Sequence, residues 1–306
     1  KCEDGGQMEL GGSTGNYYSK DYMDNIRNNC KQSCQTCQGT SKFICPSKGI
    51  HLGSDTIVHG STAKKGGAIT ASLCAIEMFN TSIINSTSTT GDGGAVLLSS
   101  KSTLLVETFS RFVNNTALEG SGGAISCTEC DSILFNHGTV LENNYAGLEG
   151  GAVHLATPAN KISSAGSIFI GNTAKKNGGA IHSYQGDWTS TGDRFEENSA
   201  VLGSGGALSM TASGVNFDAT TTCQNNRAIN GGGGCLLWES EAKNIDDVKW
   251  KLFKPNINNM QLIHNNNALF GPSFATPGVS LRIVNLTKVT TNDENILSPY
   301  PVVELL

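Results

Sequence analysis

Apolar positions in this chain fall in short clusters separated by glycine and small polar residues, and the clusters repeat. One phrase is Gly-Gly-Ala plus an aliphatic: Gly66-Gly67-Ala68-Ile69, Gly93-Gly94-Ala95-Val96, Gly122-Gly123-Ala124-Ile125, Gly150-Gly151-Ala152-Val153, Gly178-Gly179-Ala180-Ile181 and Gly205-Gly206-Ala207-Leu208. A worn copy, Gly233-Gly234-Cys235-Leu236, closes the series, and the successive intervals are 27, 29, 28, 28, 27 and 28 residues. A second phrase keeps the same beat: a bulky apolar residue, two variable positions, Asn, one residue, Ala. It runs through Phe112, Leu141, Phe169, Phe195, Cys223 and Ile263, with Asn115, Asn144, Asn172, Asn198, Asn226 and Asn266 as its amides. Two phrases holding one period mark a repeat architecture.

Within each repeat the apolar residues alternate over a few positions, as in Phe109-Ser110-Arg111-Phe112-Val113 and Ser167-Ile168-Phe169-Ile170, which predicts short strands. No segment of helical length carries a helical period. Short strands every 28 residues, none able to bury its apolar face alone, predict an all-β fold, a right-handed parallel β-helix. In such a stack equivalent residues lie about 4.8 Å apart in ladders. Gly-Gly then forms a tight corner with positive φ, Ala fits a crowded interior position, and the following aliphatic fills the core. The recurrent Asn reads as a buried ladder whose amides satisfy one another and the turn backbone.

The solenoid is expected over residues 46–278, with a C-terminal β segment over 279–306 in which 279–284 and 301–305 read as strands. The beat lengthens after Trp238, where 239–259 add about a dozen residues to one coil and carry Trp250 and Phe253. Such an insertion reads as a surface loop, and Trp238, Trp250 and Phe253 are its candidate partner-binding residues. Lys1 opens the chain without an initiator Met and it stops within a strand-like run, so it reads as an excerpt of a longer or tandemly repeated polypeptide.

Composition narrows the setting. Charged residues are 15% and aromatics 7%, Gly numbers 37 against 7 Pro, and the net charge is −5. No Lys/Arg cluster offers a nucleic-acid footprint, and no apolar run has the length of a membrane span. Ten cysteines, half of them before residue 46, point to disulfides and an oxidising, extracellular compartment. Register suggests Cys45 with Cys74, Cys127 with Cys130, and Cys223 with Cys235. A zinc site at Cys30, Cys34 and Cys37 lacks a fourth ligand at suitable spacing. Sequons at Asn80, Asn85, Asn114 and Asn285 fit secretion and covalent glycans. Asn114 is expected to point outward, whereas Asn85 is placed in the buried ladder register and so less open to modification.

Residues 1–45 have a different texture. Cys2-Glu3-Asp4 opens them and Tyr22-Met23 leads to Cys30-Lys31-Gln32-Ser33-Cys34-Gln35-Thr36-Cys37, a stretch that resembles the ShK-toxin-like (ShKT) module. The resemblance implies a small disulfide-stapled cap with Cys2 paired to Cys37. Two of the family's six cysteines have no counterpart, which leaves Cys30 and Cys34 to pair with each other, with Cys45 or with another chain. Lys20 and Tyr22 depart from the family's Lys-Tyr pair, so toxin activity is not implied. Over residues 60–275 the two repeated phrases resemble the repeats of chlamydial polymorphic outer membrane proteins, surface adhesins with a β-helical passenger. That resemblance speaks to architecture more than to activity.

Catalytic residues are not expected. Enzymes built on β-helices gather carboxylates and a basic residue on one face, but Asp92, Glu119, Glu149 and Asp193 do not fall in a stacked row on neighbouring coils. The densest cluster, Asp193-Arg194 with Glu196-Glu197, reads as a solvated face. The six histidines show no metal-ligand spacing; His154 and His182 are one coil apart and are expected to stack. No metal or cofactor is called for. The pattern predicts a structural subunit of an extracellular glycosylated filament, appendage or matrix, partnered head to tail by copies of itself or adjacent modules. A carbohydrate-binding adhesin and a pectate-lyase-like polysaccharide-degrading enzyme are the alternatives.

Overall fold

A computed structural model describes residues 49–53, 55–156, 161–239 and 262–276, together with the backbone of the short strands Leu281–Val284, Thr290–Thr291, Leu297–Ser298 and Val302–Leu305. All lie in the unit from Pro46 to Leu306. The ShKT-like module with Cys2, Cys30, Cys34, Cys37 and Cys45, the loop residues Trp250 and Phe253, and the sequon at Asn285 lie outside the described residues.

The fold is all-β, a parallel β-solenoid, with no helix among the described residues. Seven coils contribute one strand to each of four parallel sheets and the last described coil adds a strand to three of them, giving three sheets of eight strands and one of seven. We number the faces from the glycine corner. The first face follows Gly-Gly-Ala and includes Val96–Ser99, Ile125–Thr128, Val153–Leu155 and Ile181–Tyr184. The second includes Thr103–Val106, Ser132–Phe135 and Trp188–Thr191. Arg111–Val113, Val140–Glu142 and Ile168–Ile170 belong to the third, and the two-residue strands Thr116–Ala117 and Tyr145–Ala146 to the fourth. Of the four strands in a coil, the two-residue strands of the fourth face are too short to show alternation in the sequence, and those of the second face carry no recurrent residue. Likewise the strand expected from Phe109 begins at Arg111, since Phe109 stands at φ +63° in the preceding corner.

Alternation along each strand points one set of side chains inward, and the parallel register stacks them. Phe112, Leu141, Phe169, Phe195 and Cys223 form a fully buried column on the third face. Phe169 and Phe195 stack with centroids 4.9 Å apart, about the parallel strand spacing. Ala117, Ala146, Ala174, Ala200 and Ala228 make the small column of the fourth face. Trp188 fills the second-face column otherwise held by Ile133, Ile162 and Val215.

The two corner glycines are required for different reasons. The first has positive φ, +70° at Gly93 and +69° at Gly122, a conformation that costs other residues about 1–2 kcal/mol. The second does not; instead a Cβ on Gly123 would strike the carbonyl oxygen of Gly151 and the backbone of Tyr145 in the next coil. The coils therefore approach one another there at backbone contact. Beyond the solenoid, Leu281–Val284 pairs antiparallel with Val302–Leu305, and Thr290–Thr291 with Leu297–Ser298, so these strands do not continue the parallel ladders. No helix among the described residues is long and apolar enough to cross a membrane.

Candidate functional site

Three polar ladders run along the stack, and the chemistry-bearing side chains sit in them. The first is the asparagine ladder. Asn115 Nδ2 donates to Asn144 Oδ1 at 3.1 Å and to the carbonyl of Ile83 in the preceding coil at 2.9 Å. Its backbone N–H reaches the same Asn144 oxygen at 3.0 Å. Asn144, Asn172, Asn198 and Asn226 repeat these bonds, ending on Asn266 Oδ1. Asn115, Asn144, Asn172, Asn198 and Asn226 are buried, and Asn266 is half-buried in the last coil. Each amide satisfies two donors and one shared acceptor, so these side chains have no capacity left for a ligand.

Asn85 corrects the register read from sequence. The ladder position in its coil belongs to Ser86, whose N–H donates to Asn115 Oδ1 at 2.9 Å. Asn85 is exposed, at φ +55°, in line with Asn114 at +54° and Asn143 at +53°. That column needs a left-handed residue, and Asn tolerates this conformation better than most residues. Asn85 and Asn114 thus share an outward position, while half-buried Asn80 donates to Asp55 Oδ1 at 2.9 Å.

The second ladder lies between the second and third faces. Thr81, Ser110, Thr139, Ser167, Asp193 and Thr221 stand there, all buried. Asp193 corrects another expectation, since it does not belong to a solvated face. Its Oδ1 accepts from Ser167 N at 2.8 Å, and its Oδ2 accepts from the hydroxyls of Ser164 and Ser190. Ser164 and Ser190 occupy core positions that Phe135 and Phe217 hold in the flanking coils, and Trp188 Nε1 donates to Ser164 Oγ at 3.0 Å. Burial pushes the Asp193 carboxyl up to about 6 against the pull of those hydrogen bonds. Arg194 and Glu196, beside it, pair at the surface.

The third ladder precedes the glycine corner. Ser121 N donates to Asp92 Oδ1 at 2.8 Å, Asn177 Nδ2 to Glu149 Oε1 at 3.0 Å, and Ser204 N to Asn177 Oδ1 at 2.9 Å. Asp92 and Glu149 share this column but Ser121 separates them. Next to it, on the first face, Ser126, His154, His182 and Ser209 form one column that alternation turns away from the core, yet all four are buried. The imidazoles of His154 and His182 stack with centroids 5.4 Å apart and planes 18° from parallel. Burial, and for His154 also the neighbouring ring, lowers both to about 4, so both are neutral at pH 7. Glu149, His154 and His182 place three ligand-type atoms within 4.8 Å of one another. Glu149 lies five residues before His154 and His182 stacks on His154 from the next coil, so the group forms only when the coils are superposed.

Cysteines and tryptophans complete the inventory. Cys127–Cys130 and Cys223–Cys235 are disulfides. Cys223 replaces the bulky third-face residue and Cys235 the corner alanine, so their bridge crosses the interior. Cys74 is buried and disulfide-bonded. Trp238 does not belong to a surface loop: it lies in the first-face strand Leu236–Glu239, opposite Met210, and is buried. Its apolar side chain continues the interior column of Leu98, Cys127 and Leu155.

The family model of the Chlamydia polymorphic membrane protein repeat matches residues 110–128 and 166–184. Each match runs from the start of the third face through the asparagine and the glycine corner to the first face. It therefore covers the two ladder-forming phrases and leaves out the second face. No curated protein and no solved structure matches the chain.

Proposed function

We propose that this chain is a structural segment of an extracellular, glycosylated surface assembly, joined end to end to copies of itself or to adjacent modules, and that it has no catalytic role. One observation carries the reading: among the described residues the fold grows in one direction and its parallel sheets end on strands with a single neighbour. Among the described residues, Ile57–His59 and Thr62–Ala63 begin two sheets, and Leu262–His264 and Asn267–Phe270 end them, with no further strand beyond. Ile57, Leu269 and Phe270 in those end coils are 57%, 75% and 48% exposed. Parallel edges with no further strand among the described residues, beside exposed apolar side chains, favour addition of another stack. Likeness to a repeat of chlamydial polymorphic membrane proteins supports a surface location, and the outward Asn85 and Asn114 supply positions for glycans.

The adhesin reading is weaker on the described surface. Trp188 and Trp238 are both buried and neither can stack on a sugar. The test is electron microscopy of the purified full-length chain over a concentration series. Rods with a constant axial repeat of about 40 Å or more, eight coils at the strand spacing, are expected. Dispersed single particles at every concentration overturn the proposal.

A further inference from the structure

We propose that Glu149, His154 and His182 form a binding site for a divalent transition-metal ion of the zinc class, with Glu149 Oε2 and one ring nitrogen of each histidine as ligands and water in the fourth position. Imidazole and carboxylate are the donor set such ions favour, and three protein ligands with one open position is a recurring zinc arrangement.

The first support is separation. His182 Nδ1 and Glu149 Oε2 are 3.7 Å apart. That is too long for a hydrogen bond. It is close to the spacing of about 3.4 Å between two ligand atoms of one tetrahedral ion with bonds of about 2.1 Å. His154 places a ring nitrogen within the same 4.8 Å group, and its χ2 torsion has a broad well.

The second support is independent of spacing. His182 Nδ1 is buried and has no hydrogen-bond partner, although a buried ring nitrogen normally finds one. The orphaned atom faces the Glu149 carboxylate. Ser126 and Ser209 flank the histidines in their column, and Ser126 Oγ lies 3.4 Å from His154 Nδ1.

The third support is orientation. Asn177 Nδ2 holds Glu149 Oε1 at 3.0 Å, leaving Oε2 for the ion, and Asn177 is itself fixed by Ser204 N. This is the outer-shell bracing that ligating carboxylates need. The Glu149 side chain is 28% exposed, which gives an ion an entry path. Occupancy would tie the coils of His154 and His182 to the glycine corner. The proposal is independent of the end-to-end assembly above.

The test uses the full-length, untagged chain, stripped with chelator and titrated calorimetrically with zinc chloride. One equivalent of zinc is expected to bind, and His182→Gln should weaken it by more than about 100-fold. Asn177→Ala should weaken it about 10-fold by freeing the carboxylate. His51→Gln, on the second face beside Glu77, should leave it unchanged. If His182→Gln does not fold, Glu149→Gln replaces it, since the amide keeps an oxygen for Asn177 and loses the ligand charge. Cobalt(II) added to the stripped wild-type chain should give the intense visible bands of a tetrahedral nitrogen/oxygen site. Absence of stoichiometric zinc binding, binding unaffected by loss of His182 or Glu149, or the weak spectrum of octahedral aqueous cobalt each overturns the proposal.

Discussion

Single residues in this solenoid take their meaning from the column they stand in. Asp193 is a carboxylate in a column of hydroxyls, and its cost depends on pH. In the unfolded chain it titrates near 3.8 and in the folded chain at about 6. A raised folded value means that its stabilising contribution is complete below 3.8 and is lost as the pH rises through about 6. By linkage the loss is worth up to about 3 kcal/mol. His154 and His182 titrate over the same window in the opposite sense. Lowered to about 4, they contribute stability above 6.5 that disappears as the pH falls through about 4. The prediction is therefore a comparison. Asp193→Asn, which can keep bonds to Ser164, Ser167 and Ser190, should gain stability over wild type as the pH rises from 4 to 7.5, measured by urea denaturation. A gap that stays flat with pH would show that this carboxylate is not desolvated. Phe109 makes a second case. It occupies a left-handed position filled by Gly138 in the next coil, and its ring is 66% exposed. Phe109→Gly removes strain of about 1–2 kcal/mol and adds about 0.5–1 kcal/mol of unfolded-state entropy. A small rise in melting temperature is expected, whereas Gly138→Phe should lower it.

At the scale of the element, the unit is the ladder. Replacing Asn172 by Leu would leave Asn144 N, Asn144 Nδ2 and the Leu141 carbonyl without their partners. Each unsatisfied buried group costs about 1–3 kcal/mol, so Asn172→Leu should be among the most damaging single changes by thermal denaturation. Ser86 invites the opposite change. It holds the ladder position one coil before Asn115, and its buried Oγ has no partner. Ser86→Asn extends the ladder, and a gain of about 1 kcal/mol is expected; a loss would mean that the first coil has no room for the amide. The ladder was legible in sequence because Asn recurs with the apolar residue three before it. So was the glycine corner, although only the structure separates positive φ at Gly122 from backbone contact at Gly123. What the sequence hid was lateral. The second face carries no recurrent residue, Asp193 looked like its charged neighbours, and Trp238 looked like the edge of a loop because the beat breaks just after it. The period places His182 on His154, but the approach of the Glu149 carboxylate to His182 Nδ1 depends on how the corner side chain turns toward the first face, and a one-dimensional period does not contain that.

At the largest scale the solenoid behaves as a stack in which each coil contacts chiefly its neighbours, so a local lesion should have a local reach. The Cys223–Cys235 bridge tests this. It closes a 12-residue separation within one coil, joining the third face to the glycine corner. A loop of that size corresponds to about 3 kcal/mol in the chain-entropy account. In a globular domain such a loss would lower protection everywhere. Here it should fall on the coils nearest the bridge, because the interactions of Val96 to Tyr184 with their own neighbours are untouched. Native-state hydrogen exchange of Cys223→Ser/Cys235→Ala, against wild type, is the measurement. Amides of Thr222–Gln224, Leu236–Glu239 and Asn267–Phe270 should exchange markedly faster, and those of Ile125–Thr128 and Val153–Leu155 at nearly the wild-type rate. Uniform acceleration across all four faces would mean that the solenoid opens as one cooperative body. The outcome bears on assembly as well. If end coils open independently, a neighbouring module docked on Asn267–Phe270 would stabilise that end first. Self-association would then appear as restored protection at the terminal strands before any change in the middle of the stack.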